Sequence, residues 1–257
     1  MNACNIKKSL KGKNPVIGTW ITLPDLAVTE LMTQQGFDWL SIDMEHSAIS
    51  VSQAQNLIRI IDLAGLAPLV RVGANHPLLI KQVMDAGAHG VIVPMVNTAQ
   101  DAAAAVRAVK YPPIGERGVG LARAQGYGLS FDHYRKWVNA QSVVIVQIEH
   151  IAAINNLEEI LKVLGIDASI IGPYDLSASL GYPGEFERPE VVAAIKHYRT
   201  VCDQLKKPSG FHVIPPEAQQ VRQKIKQGYR FIGFSLDTLF LGEKCRSEMN
   251  RLGRGAR

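Results

Sequence analysis

Short apolar runs alternate with longer amphipathic segments along most of this chain. The runs Val16–Ile21, Trp39–Ile42, Pro68–Val72, Gly90–Met95, Val143–Glu149, Ala168–Gly172, Ser209–Val213 and Phe231–Ser235 have the length and β-branched content of strands. Between them lie helix-length segments. One starts at Pro24 and Asp25 and stops at Gly36; the next, from Val51 to Leu63, follows Ser50 as a cap and carries Ala54, Leu57, Ile58 and Ile61 on one face. Further helices are expected from Pro77 to Gly87, from Thr98 through the alanine run, over Phe131–Asn139, and from near Ala152 or Asn155. Three more are expected over Val191–Leu205, Glu217–Gln227 and Thr238–Leu252. Lys7 to Asn14 is expected to be a basic, flexible lead-in, and Tyr111–Gly128 and Asp175–Glu190 to be long ordered loops.

Strict strand and helix alternation predicts an α/β fold, a (β/α)8 TIM barrel, better than an open doubly wound sheet. The 257 residues, 47% of them hydrophobic, suffice for one such barrel domain over residues 1–257.

Charge and cysteines then narrow the function classes. The net charge of +5 is spread along the chain without a basic run or interleaved aromatics, so nucleic acid is not an expected partner. Cys4, Cys202 and Cys245 are too few and too far apart for a disulfide framework or a thiolate cluster. With no apolar signal core and no long uncharged apolar run, no membrane association and a cytoplasmic location are expected.

In a barrel, catalytic groups collect where strands end, at the C-terminal rim. Asp43, Glu45 and His46 follow the second run; Arg71 ends the third; Gln147 and Glu149 end the fifth; Asp175 follows the sixth. Glu149 and Asp175, one βα unit apart, are a candidate pair of hard oxygen ligands for Mg²⁺ or Mn²⁺, with Co²⁺ also possible. Alternatively, one of them pairs with Arg71. His46 is the first candidate for general base, oriented by Asp43 or Glu45, and His212 is the second. Arg71 offers a fork of donors to a 2-oxo acid, or an ion pair to Glu45 or Asp43. No strand-end lysine is placed for Schiff-base chemistry, which favours metal-assisted enolisation.

Taken in order, IDMEH at Ile42–His46, LVRV at Leu69–Val72, PMV at Pro94–Val96, YPPIGERGVG at Tyr111–Gly120, VQIE at Val146–Glu149 and IGPYDLSASLGYPG at Ile171–Gly184 resemble the HpcH/HpaI aldolase family. The resemblance covers about Gly18 to Leu241. It implies a metal-dependent class II pyruvate aldolase of aromatic or sugar acid catabolism. Such an enzyme reversibly cleaves a 4-hydroxy-2-oxo acid to pyruvate and an aldehyde through a metal-stabilised enolate.

Residue by residue, the resemblance implies that His46 supported by Asp43 is the base and Arg71 the enolate stabiliser. It implies metal ligands Glu149 and Asp175, and substrate contacts from Gln147, Gly172 and Pro173, with Ser177 a further candidate. It also implies Asp85 as a neighbouring subunit's contribution, a homohexamer, and exchange of the last helix between subunits. His150, Tyr174, Phe234 and Ser235 depart from the family pattern, and their bulk at the rim is expected to alter the aldehyde pocket. A CoA-ester lyase of the malyl-CoA or citryl-CoA type and a non-catalytic metabolite-binding protein are the rival functions.

Overall fold

The alternation closes on itself. A computed structural model describes residues 5–255, so Cys4 lies outside the described residues. In chain order the elements are α1 (Ile6–Lys11), β1 (Val16–Ile21), α2 (Leu26–Thr33), β2 (Trp39–Asp43), α3 (Val51–Leu63), β3 (Ala67–Arg71) and α4 (Pro77–Ala86). Next come β4 (Gly90–Val93), α5 (Ala99–Val109), a 3-10 turn (Arg123–Gly128), α6 (Phe131–Gln141), β5 (Val143–Ile148), α7 (Ile151–Asn155) and α8 (Leu157–Lys162). The chain ends with β6 (Ala168–Ile171), α9 (Pro173–Ser179), α10 (Pro189–Gln204), β7 (Ser209–Val213), α11 (Ala218–Lys226), β8 (Phe231–Leu236) and α12 (Asp237–Arg251). All strand pairs are parallel, and β8 returns to β1, giving the expected closed barrel.

Side-chain alternation divides the strands between two cores. Val144, Val146 and Ile148 of β5 face outward into the layer shared with the helices, whereas Val143 and Ile145 pack inside with Trp20, Trp39, Leu69, Ile92 and Phe231. The inner space is filled by stacked rings: Trp39 lies 4.5 Å from Phe231 at an interplanar angle of 12°. Gly18 makes this possible, because a Cβ there would sit 2.0 Å from the Trp39 ring and 2.2 Å from its carbonyl oxygen.

Two expected loops contain helices. Residues Lys7 to Asn14, expected to be flexible, fall largely within α1, whose Ile6 and Leu10 are buried one turn apart at the base of the inner core. Asn5 caps this helix, and Lys7 pairs with Asp167 at 2.9 Å. The segment after β6 opens with α9, which starts at Pro173, a favoured first helical residue. These departures reflect tertiary burial and capping in segments too short to show a helical period.

Candidate active site

The alternation that buries Val143 and Ile145 inside the barrel continues to Gln147 and Glu149, both buried at its mouth. Arg71, at the end of β3, joins them from the same face. Its Nε and Nη2 donate to Asp43 Oδ1 and Oδ2 at 2.9 and 2.6 Å, and Nε lies 3.3 Å from Glu45 Oε2. Trp20 lies flat beneath the guanidinium, 4.5 Å from ring centroid to Cζ. Asp43, Glu45 and the Trp20 ring therefore fix the fork. Nη1 has no partner among the described residues and is free to meet a substrate. Burial opposes ionisation of Asp43, but the hydrogen bonds and charge of Arg71 outweigh it and hold the carboxyl below its usual range.

His46 is the exposed member of the group, its side chain 65% accessible, with Nε2 3.7 Å from Glu45 Oε2. Asp43 does not touch its imidazole. Instead Asp43 Oδ1 accepts the backbone N–H groups of Glu45 and His46, at 3.0 and 3.2 Å, and so shapes the turn that carries the histidine. His212, the second candidate base, points inward from β7. Burial pushes its pKa down to about 4, against the Ser235 carbonyl that its Nε2 meets at 3.2 Å. A ring so weakly basic suits a neutral wall better than a proton acceptor at neutral pH.

Glu149 and Asp175 converge over Gly172. A Cβ on that glycine would lie 3.3 Å from Glu149 Oε2 and 3.8 Å from Asp175 Oδ2. One oxygen of Glu149 accepts the Met95 N–H at 2.7 Å, and the other accepts from Gln147 Nε2. The Asp175 carboxylate has no hydrogen bond or ion pair among the described residues, and neither it nor Glu149 pairs with Arg71 as the alternative expectation had it.

Glu45 registers the resulting excess of acid. Burial pushes its carboxyl up to about 7, with Glu149, Asp43 and Asp175 adding repulsion and Arg71 opposing. An arrangement of carboxylates around a glycine-sized gap fits a hard divalent cation. Among the described residues no group of three or more His, Cys, Asp or Glu is placed to hold a metal ion, so a cation here would take most of its ligands from water and substrate.

One cavity of about 620 Å³ is lined among others by Trp20, His46, Arg71, Gln147, Gly172, Pro173 and Asp175. A family model described as HpcH/HpaI aldolase/citrate lyase matches residues 16–242. The chain belongs to that family. A 4-hydroxy-2-oxo-heptane-1,7-dioate aldolase of Shigella sonnei is 38% identical, over 97% of this chain and 95% of its own length. A 2-dehydro-3,6-dideoxy-6-sulfogluconate aldolase of Pseudomonas putida is 38% identical over 92% of each chain. The crystal structure of a family protein from Burkholderia cenocepacia superposes with a TM-score of 0.92 at 34% identity, covering 97% of this chain and 99% of that one.

Ser177, Asp85, His150, Phe234 and Ser235 lie outside the lining of this chain's cavity, and for Asp85 that agrees with the expected contribution to a neighbouring subunit. Ser177 is buried outside the cavity lining, and its Oγ donates to the Tyr174 carbonyl at 2.7 Å and accepts the Gly184 N–H at 2.9 Å, pinning the loop after α9. Asp85 lies away from this chain's cavity, held by Arg117 and Gln125 at 2.5 and 3.0 Å. His150 does not line the cavity; its Nδ1 caps α7 by accepting the Ala152 N–H at 3.0 Å, work that a Ser or Thr also does. Phe234 faces outward and packs on Phe240 of α12, so its bulk is spent away from the cavity. Ser235 is buried with φ of 54°, and its carbonyl accepts Thr19 Oγ1 at 3.1 Å. Only Tyr174 adds bulk at the rim, edge-on to Phe186 at 4.7 Å. Trp20 was not anticipated as a site residue. Its signal is parity: Val16, Gly18 and Trp20 alternate on β1, and the last is nearest the mouth.

Proposed function

We propose that this enzyme cleaves a 4-hydroxy-2-oxo acid reversibly to pyruvate and an aldehyde, in the manner of a class II pyruvate aldolase. The supporting observation is a cavity at the barrel mouth lined by His46, Arg71, Gln147 and Asp175, with the buried carboxylate of Glu149 converging on that of Asp175 over Gly172 in its wall. Glu149 and Asp175 would hold Mg²⁺, Mn²⁺ or Co²⁺. The ion, when bound, supplies Lewis-acid stabilisation of charge at the 2-oxo oxygen.

The chain's own groups do the rest. Arg71 presents its free Nη1 to the 2-oxo oxygen, and Gln147 lies beside it. The loop at Gly172 and Pro173 receives the carboxylate. His46 takes the proton of the 4-hydroxyl as the C3–C4 bond breaks; the bond's electron pair passes to C3, giving the pyruvate enolate and the free aldehyde. Protonation of C3 completes pyruvate. Pyruvate release from a panel of 4-hydroxy-2-oxo acids, with and without EDTA, tests this. Turnover that persists after chelation, with ion content confirmed absent, rules out the metal-assisted mechanism.

Assembly with further copies, as a hexamer with Asp85 contributed to a neighbouring site and the last helix exchanged, belongs to the same proposal. Support comes from Val119, Leu121, Tyr127 and Leu129, exposed together on the segment that follows Arg117, Leu129 by 94%. Sedimentation should return a multiple of the 28.1 kDa chain; a monomer at micromolar concentration removes the interface. Among the described residues no helix is long and apolar enough to cross a membrane. Cys202 and Cys245 are free thiols, which supports a reducing compartment such as the cytoplasm.

A further inference from the structure

The cavity does not stop over the barrel. Past Tyr174 its wall runs beyond the ends of β6 and β7 into the space between the strands and α10 and α11, where Ile195, Phe211, Gln220 and Lys224 line it. Phe211 is an outward-facing strand position, so this arm lies in the layer between barrel and helices. Its walls are mostly apolar, and it contains one ammonium.

Lys224 Nζ stands 3.8 Å from the Phe211 ring centroid and 5.9 Å from that of Tyr229. Ring faces are the only partners of this ammonium among the described residues. The carboxylates of the cavity wall, Asp175 and Glu187, form no ion pair with it. An aromatic face stabilises a cation modestly and leaves its three N–H donors unused. Burial lowers the pKa of this lysine, with nothing opposing it, and an arriving anion would reverse that penalty.

Resting on the aldolase reading, we infer that Lys224 binds a carboxylate at the far end of the aldehyde half of the substrate, selecting acceptors with an acidic tail. Arg71, Asp175 and the Gly172–Pro173 loop hold the pyruvate half at the barrel mouth, so the aldehyde's remaining length has this arm to enter. Methylenes would contact Ile195 and Phe211, and the terminal anion would meet Nζ. The arm thus has an apolar middle and a cationic end.

The test is aldol addition of pyruvate to succinic semialdehyde and to pentanal by the full-length enzyme supplied with Mg²⁺ or Mn²⁺. The readout is the ratio of kcat/KM for the acidic over the neutral acceptor. The wild-type protein should favour the acid. Lys224→Gln should lower that ratio ~10- to 100-fold, mainly through the acceptor KM, and Lys224→Arg should restore most of it. Each ratio is internal to one protein, so a loss of folded material cancels. An equal ratio in wild type and Lys224→Gln overturns the assignment of Lys224 while leaving the aldolase intact. Failure of wild type to form adduct with either aldehyde, while it still releases pyruvate from another 4-hydroxy-2-oxo acid of the panel, overturns this inference alone; failure on the panel as well overturns the aldolase reading and this inference with it.

Discussion

His46 and Arg71 meet the same cavity under opposite constraints. The guanidinium is held on three sides, by Asp43, Glu45 and the Trp20 ring, and needs no rearrangement to receive developing negative charge. The imidazole is mostly solvent-exposed, with Glu45 Oε2 3.7 Å from its Nε2, which leaves it free to exchange a proton and reset through water. His46→Ala should therefore reduce the rate of C3–C4 cleavage by about 10²- to 10⁴-fold while pyruvate affinity, measured by calorimetry, stays close to wild type. Unchanged cleavage would remove His46 from the chemistry, and a matching loss of pyruvate affinity would make it a binding group instead. Asp43, by contrast, holds the Arg71 fork and caps the turn that carries His46.

Strand ends carried much of the site into view from sequence, and strand parity accounts for which of those side chains face it. Once β5 is a strand with Val143 and Ile145 inside, Gln147 and Glu149 must also face inward, and Arg71 follows by the same count on β3. That periodicity says nothing about α1, where two buried side chains and an Asn5 cap decide the structure. Nor could it anticipate the arm at Lys224, which depends on how α11 sits against the outer face of β7. It also missed the spatial meaning of Gly18, which is register-paired with Trp39 across β1 and β2. Gly18→Ala would drive a methyl into the indole and into a backbone carbonyl that cannot turn away. The expected cost is about 1–3 kcal/mol or more of stability, read as a lower urea midpoint with little change in slope. An unchanged midpoint would show that the barrel interior yields more readily than its stacked rings imply.

At the scale of the whole molecule, the site leaves a mark on how stability varies with acidity. His212 is buried neutral, its pKa pushed down to about 4 from an unfolded value of about 6.5. The unfolded chain then binds this proton first as the medium is acidified. The stability His212 contributes is complete above about pH 6.5 and is lost as pH falls toward 4, to a limit of a few kcal/mol. Glu45 tilts the same window the other way. With its folded pKa raised to about 7, its contribution is present below its unfolded value near 4.5 and declines as pH rises toward 7. The raw curve is a sum of the two, so the informative quantity is the difference between wild type and His212→Gln at each pH. Because Glu45 and any ion held beside it are common to both proteins, they largely cancel in that difference. Urea unfolding should show the wild-type advantage shrinking between pH 6.5 and 4 and levelling off below that. A difference that stays flat across the window would mean that His212 titrates normally, and would return it to contention as the base.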